Sequence, residues 1–363
     1  MNLCFETCAD LPLVPIRVRT AIAAGPVTAS VHARVLQTTE ALHRIEMGPP
    51  SAPLAAPADS LRIAFWNAER CKYLDDSADL LARAEAGVTL LSEMDLGMAR
   101  SGQIHTTRQL AGRIGQGYVF AVEYLELGLG DVRERAWHAG SENLHGLHGA
   151  AIVSPHELAR PALIRLEESG GWFDGSRDER RVGGRMAVAA TVSIGDIDMA
   201  VVSVHLESHS DPSHRAEQMR VLLDAVERYA PHVPAIIGGD FNTNSVSQAR
   251  LKTPEDKVAL AAETPDRFVD PVRFEPLFQV AAAAGYEWSA CNAPGATQRT
   301  RPDGTPEAPL GRRDWFFTRG LAARDPATLA PSMRRILSPS RIPAWAARPS
   351  LTSPRTTEVS PSR

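Results

Sequence analysis

This 363-residue sequence predicts an α/β fold, on three observations. A short apolar run, Leu61–Asn67 (LRIAFWN), is followed by a helical stretch and a second apolar run, Val88–Glu93 (VTLLSE). That is the order of a strand–helix–strand unit, whose parallel pair needs a connection of about a dozen residues or more. Two longer apolar runs, 185–194 and 197–206, sit in the middle, separated by two residues. A further run, Val233–Ile237, follows a helical stretch and leads directly into Gly238-Gly239-Asp240-Phe241-Asn242.

Residues 1–60 read as a weakly organised lead-in. It holds one helical stretch, near Val31–Ile45, and then a Pro/Ala/Ser linker from Gly48 to Ala58. Order begins at Leu61. Asp75, Asp76 and Ser77 offer N-cap groups ahead of Leu80, Leu81 and Ala84 at helical spacing. Gly149–Ser154 (GAAIVS) is the next short strand. Gly195-Asp196 reads as a two-residue hairpin turn, since glycine supplies a positive φ at its first position. Ser213 through Tyr229 reads as a helix with Met219, Leu222, Leu223 and Val226 on one face and Glu217 spaced to pair with Arg220. A last helix near Pro276–Ala284 precedes the strand Asp314-Trp315-Phe316-Phe317. Residues 61–329 therefore form the body. The segment 330–363, dominated by Ser, Pro and Arg, has no strand or helix period and is expected to be disordered.

Composition narrows the function. Hydrophobic and charged fractions are those of a globular protein, and the net charge of −4 gives no sign of generic affinity for nucleic acid. Neither a basic run nor an aromatic series points to DNA or RNA. The four cysteines, Cys4, Cys8, Cys71 and Cys291, form neither a disulfide framework nor a zinc spacing. No apolar run approaches the roughly 20 residues of a membrane helix. The N-terminal segment, with Glu6 and Asp10, is unlike a secretory signal. The expectation is a cytoplasmic protein without membrane contact.

Polar residues recur at the ends of the apolar runs: Asn67, Glu93, His205 within SVHLES, Asp240 and Asn242, and Asp314 before WFF. Open α/β sheets build their sites at strand ends, and a carboxylate there needs water, a donor or a cation. Each residue also has an ordinary reading. Glu93 or Asp240 alone is a solvated loop carboxylate, Asn67 a turn cap, His205 a core histidine, and Asp314 a partner for Arg312 or Arg313. The ordered set outweighs these.

The series WNAER, SEMD, HGLHGAAIVS, SVHLES, GGDFNTNS and RRDWFF, across residues 61–320, resembles the endonuclease/exonuclease/phosphatase superfamily. That superfamily includes pancreatic deoxyribonuclease, apurinic/apyrimidinic endonucleases, sphingomyelinases and inositol polyphosphate phosphatases. The resemblance implies a four-layered α/β sandwich of two packed mixed sheets flanked by helices. It also implies hydrolysis of a phosphodiester or phosphomonoester by in-line attack of water, with Mg²⁺ or Mn²⁺. By the same resemblance Glu93 binds the metal, Asn67 sets the metal and phosphate geometry, and Glu69 adds an outer carboxylate. Asp240 orients or deprotonates the water, Asn242 positions it and contacts phosphate, and His205 donates to the phosphate. Asp314 orients a second histidine, and Arg185 adds a phosphate contact. Such a site, rich in oxygen donors, suits Mg²⁺ or Mn²⁺. The segment Tyr118–Asp131 and the insert Gly170–Gly184, with Arg177, Arg180 and Arg181, are expected to shape the mouth of the cleft.

Two departures stand out. Ala150 occupies the position of an expected asparagine, leaving His145 or His148 as candidate substitutes. The family's closing Ser-Asp-His segment is missing, because no histidine follows His232. A frameshifted or altered tail that removes the last strand accounts for this. It predicts an exposed sheet edge and a catalytically impaired phosphate-binding relative as the alternative function.

Overall fold

The structure is a computed structural model and describes residues 3–177, 179–243, 254–297, 311–329 and 354–361. Two mixed sheets pack face to face. Among the described residues the first has six strands, in the order Leu3–Cys4, Ala159–Arg165, Met186–Ile194, Ile197–His205, Ala235–Asp240 and Asp314–Arg319. The second runs Leu321–Thr328, Arg355–Pro361, Leu61–Asn67, Val88–Leu96, Leu147–Ser154, Gly117–Glu126, Ile45–Gly48 and Thr7–Cys8, with Arg181–Gly183 also paired to Gly117–Glu126.

Three apolar layers hold the sandwich. Ile63, Leu90 and Ile152 from one sheet meet Val188, Val201, Ile236 and Phe316 from the other. Outside the six-stranded sheet, the helices Pro212–Tyr229 and Leu277–Ala283 bury Met219, Leu222, Val226, Leu277 and Phe278. Outside the second sheet, Leu80, Leu81 and Leu110 lie with Leu36 and Leu42. The result is helix, sheet, sheet, helix, the four-layered α/β sandwich expected.

The parallel pair Leu61–Asn67 with Val88–Leu96 is present, as is the Gly195-Asp196 hairpin, with Ile194 opposite Ile197 and Gly195 at φ +56°. Arg220 and Glu217 pair on the exposed helix face. The capping expectation near Asp75 is corrected. The helix is Leu74–Ala84, its N-cap is Tyr73 with no side-chain cap, and Asp75 and Asp76 lie within the first turn. There they complement the helix dipole, while the Ser77 hydroxyl donates back to the Tyr73 carbonyl at 2.7 Å.

The larger corrections lie outside 61–329. Residues 3–48 are not a loose lead-in, since they add short strands to both sheets. The helix is Ala29–Thr38, capped by the Thr28 hydroxyl, and chain order passes through a 3₁₀ turn to the strand Ile45–Gly48. Strands of two to four residues carry too little period to read. The tail expected to be disordered likewise contains Arg355–Pro361, paired antiparallel to both Leu61–Asn67 and Leu321–Thr328. Thr356, Thr357 and Val359 supply the β-branched character a strand favours, and the pairing covers the edge of Leu61–Asn67 where an exposed sheet edge was expected. Residues 330–353 lie outside the described residues.

Candidate active site

Strand register assembles one half of the site. Across three neighbouring strands His205 stands opposite Asp240, and Asp240 opposite Asp314. The glycines before Asp240 permit this, because a Cβ at Gly239 would lie 2.2 Å from the Val204 carbonyl oxygen. Beyond the strand the chain turns at Asn242, which takes a left-handed φ of +50°, a conformation asparagine tolerates. Its backbone N–H donates to Asp240 Oδ1 at 2.9 Å and its side-chain amide to the Leu206 carbonyl at 3.0 Å. The Thr297 hydroxyl accepts the backbone N–H groups of Arg313 and Asp314.

The second sheet supplies the other half. Between Leu91 and Met94 the pairing with Leu147–Ser154 slips, and Glu93 adopts φ +57°. A bulge of this kind re-aims a side chain, and Glu93 is turned toward Asn67. The Asn67 amide donates to Glu93 Oε1 at 3.0 Å and to Asp240 Oδ2 at 3.2 Å, while its carbonyl accepts the Glu69 N–H at 3.1 Å. Asn67 therefore sets the spacing of two carboxylates that come from different sheets.

All eight expected site residues, Asn67, Glu69, Glu93, Arg185, His205, Asp240, Asn242 and Asp314, line one cleft of about 460 Å³. Arg185 is there on different terms from those expected. It donates to Glu123 at 2.8 Å, to Glu207 at 3.3 Å and to Ser208 at 3.4 Å, so its nitrogens are committed to the wall. The insert does shape the cleft, through Trp172, Arg177 and Arg181. Arg180 turns away, donating to the Phe173 and Ala23 carbonyls. Tyr118–Asp131 is corrected: Gly117–Glu126 is a fully buried strand, and only Asp131 of this segment reaches the cleft.

Charge is unevenly balanced. Burial pushes the Glu93 carboxyl up, but Arg70, then His205, His148 and the Asn67 amide, outweigh it and hold it well below the usual range. Burial, then the adjacent Asp240, pushes Asp314 well above the usual carboxylate range, against Thr297, Arg355 and Arg313. Burial, then Arg185, lowers His205. Its Nε2 is 4.0 Å from Asp240 Oδ2, too long for a hydrogen bond.

Sequence reading missed Arg70, which ion-pairs with Glu93 at the base of the cleft. Glu69, Arg70 and Cys71 all have positive φ, a strained turn without glycine that no local pattern signals. It also left His145 and His148 undecided. His148 lines the cleft, whereas His145 packs against the Gly97 turn and bonds through its backbone to the Gly97 carbonyl. No histidine pairs with Asp314 among the described residues. Arg355, from the other sheet, acts on Asp314 by its charge and donates to the Ala293 and Gly295 carbonyls.

The donors suit an oxygen-coordinated cation. Glu93 and Asp240, both bonded to the one Asn67 amide, bring carboxylate oxygens from the two sheets to one point of the cleft. No group of three or more His, Cys, Asp or Glu side chains able to cage an ion occurs among the described residues. Mg²⁺ commonly needs only one or two carboxylates, keeping several waters. No helix among the described residues is long and apolar enough to cross a membrane.

Neither a family model nor a curated protein matches the sequence at a significant level. Solved structures do match the fold. An endonuclease/exonuclease/phosphatase protein from Beutenbergia cavernae DSM 12333 aligns with TM-score 0.52 and 17% identity, over 84% of this chain and 72% of that one. A functionally unknown conserved protein from Enterococcus faecalis V583 aligns with TM-score 0.52 and 14% identity, over 83% and 100%. The human Nocturnin catalytic domain, solved with a sulfate anion, aligns with TM-score 0.50 and 15% identity, over 88% and 97%. Two mixed sheets, strand-end carboxylates from each and these likenesses agree: the chain has the endonuclease/exonuclease/phosphatase fold.

Proposed function

We propose that this protein is a Mg²⁺- or Mn²⁺-dependent hydrolase of a phosphate ester, attacking in line with a positioned water. The observation that carries the reading is the bridge from Asn67 to both Glu93 and Asp240, which joins carboxylates of two sheets at one cleft. Glu93, spaced from Asp240 by Asn67, would hold the ion. When bound, such an ion neutralises charge on phosphate oxygens.

The chain's own residues divide the remaining work. Asp240, held by the Asn242 N–H on one oxygen and Asn67 on the other, orients the water. His205, kept neutral by burial and Arg185, offers the phosphate a hydrogen bond rather than a full charge. Asn242, fixed to the Leu206 carbonyl, places its turn beside the same oxygen. Trp172 walls one side of the cleft, its indole N–H donating to Glu207 at 2.8 Å.

Hydrolysis of bis(p-nitrophenyl) phosphate should require added Mg²⁺ or Mn²⁺ and stop with chelator. Asn242→Ala, which unties the turn from the Leu206 carbonyl and misplaces Asp240, should lower it by roughly 10²-fold. Turnover that ignores chelator, or an unaffected variant, would remove the reading. Binding without turnover is the competing function, favoured by the arginine rather than histidine beside Asp314. It would appear as phosphate affinity in a chain that hydrolyses none of these esters with either metal.

Arg70 gives a separate test of the metal position. Because Arg70 already neutralises Glu93, an ion bound there displaces or shares that partner. Arg70→Met should tighten Mn²⁺ binding by about 10-fold, or roughly 1.4 kcal/mol, in a spectroscopic titration. Unchanged affinity would place the ion elsewhere.

A further inference from the structure

The insert at residues 170–184 is held at both ends by His32. The His32 Nε2 lies 3.2 Å from the Gly183 nitrogen and 3.1 Å from the Gly183 carbonyl oxygen, and a Cβ at Gly170 would lie 2.7 Å from the same ring. Between these ends the Asp174 carboxylate accepts the Ser176 N–H at 2.9 Å and its hydroxyl at 2.8 Å. The Arg181 N–H donates to the Trp172 carbonyl at 3.1 Å. Arg177 lies over the Trp172 indole, 5.2 Å from its centroid, with Arg181 at 4.7 Å. Arg177, Arg181 and Arg185 all line the cleft, but on unequal terms. Arg181 and Arg185 are buried and met by Glu126, Glu179, Glu123 and Glu207. The Arg177 side chain is 24% exposed, whereas its partner Glu207, at 3.2 Å, is 1% exposed. The cation therefore faces the cleft and the carboxylate lies behind it. Glu207 is fixed in turn by the Trp172 indole and the His209 backbone N–H, each at 2.8 Å.

We infer that Arg177, with Ser208 and His209, forms a subsite for a second phosphate group on the molecule that places its first beside His205 and Asp240. That the first is the one cleaved rests on the hydrolase reading above. A guanidinium carries five N–H donors in a planar fork suited to phosphate. Arg177 spends Nη1 on Glu207 and holds Nη2 3.5 Å from the His209 carbonyl, which leaves donors for a ligand. Stacking on the indole fixes the plane of that fork. Ser208 and His209 line the same cleft, with 2.9 Å from Ser208 Oγ to His209 Nδ1. Burial takes the His209 ring down to about 4 against the pull of Glu207. The ring is neutral at neutral pH, so the charge that a second anion meets on this wall is that of Arg177. The spacing follows from the chain. Ser208 and His209 come three and four residues after His205, so their Cα atoms lie no more than about 11–14 Å from its own. Two phosphates carried on one sugar-sized scaffold fall within that limit.

Phosphonates test the subsite without turnover, because their carbon–phosphorus bond is not an ester. In titration calorimetry with Mg²⁺ present, the wild-type chain should bind trimethylene or hexamethylene diphosphonate at least about 10-fold more tightly than propylphosphonate or hexylphosphonate, the scale of one charged hydrogen-bonded contact. In Arg177→Met that advantage should fall to the small statistical factor left by two identical ends. Arg177→Lys, which keeps the charge and loses the fork, should retain part of it. Each advantage is a ratio of affinities within one preparation, so partial misfolding lowers the apparent stoichiometry and leaves the ratio untouched. A wild type that shows no advantage, or an advantage that survives in Arg177→Met, overturns the subsite. Turnover of bis(p-nitrophenyl) phosphate with Mg²⁺ or Mn²⁺ then still supports the hydrolase. An advantage that disappears with Arg177, in a chain that turns over no ester, keeps the subsite and removes the hydrolase reading.

Discussion

Replacing Asp240 by alanine should lower metal-dependent diester hydrolysis by about 10³–10⁴-fold, roughly 4–5.5 kcal/mol of barrier. The size follows from its place in the register. Asp240 is the middle of the row His205, Asp240 and Asp314, and it is also the point at which Asn67 ties the two sheets together. Its two oxygens are spoken for separately, Oδ1 by the Asn242 N–H and Oδ2 by Asn67, so the carboxylate plane is fixed before any substrate arrives. Alanine removes the water's partner and also frees Asn67 and Asn242. The variant should stay folded, because the backbone bonds of the strand Ala235–Asp240 do not use the side chain. A steady-state comparison on bis(p-nitrophenyl) phosphate, with circular dichroism as control, decides it. Equal rates would take the chemistry away from this cleft.

The second large effect is on stability. Arg100→Met should cost about 3–5 kcal/mol, the scale for breaking a buried ion pair from one side. The Arg100 side chain has no exposed surface and pairs bidentately with Asp95, which has none either. It also donates to Glu134 at 3.2 Å and Glu126 at 3.3 Å. Methionine leaves three carboxylates around an apolar side chain. Arg70 and Lys72 reach Glu134, and Arg181 reaches Glu126, but Asp95 keeps only His148. Against a typical total of about 5–15 kcal/mol, this is a large fraction. Arg100→Lys should fall between, since a single ammonium cannot reproduce the fork. The urea midpoint is the measurement. A methionine variant unfolding at the wild-type midpoint would show that the network contributes nothing.

The same network explains what could and could not be read in the sequence. The strands that position Asn67, Glu93, Asp240 and Asp314 are legible because each is an apolar run bounded by a polar residue, a pattern set by local burial. Gly117–Glu126 was not recognised, although every residue in it is buried. Its Glu123 and Glu126 look like solvent-facing charges until Arg185, Arg181 and Arg100 arrive from other elements. Arg185 was placed correctly at the cleft, but its commitment to Glu123 and Glu207 depends on pairing that no local window contains. The choice between His145 and His148 turned on which one falls opposite Asp95, a consequence of the slip at Glu93. The tail failed for a related reason. Composition described its length well enough to suggest disorder, whereas pairing of Arg355–Pro361 depends on two waiting strand edges rather than on its own character.

That last pairing has a temporal consequence. Arg355 stands opposite Phe65, about 290 residues earlier in the chain. At about 5–20 residues per second, the strand that supports Asn67 waits roughly 15–60 s during synthesis for its second neighbour. Until then its open hydrogen-bonding edge is available to other nascent chains, so premature termination anywhere between these positions yields a sticky product rather than a smaller working protein.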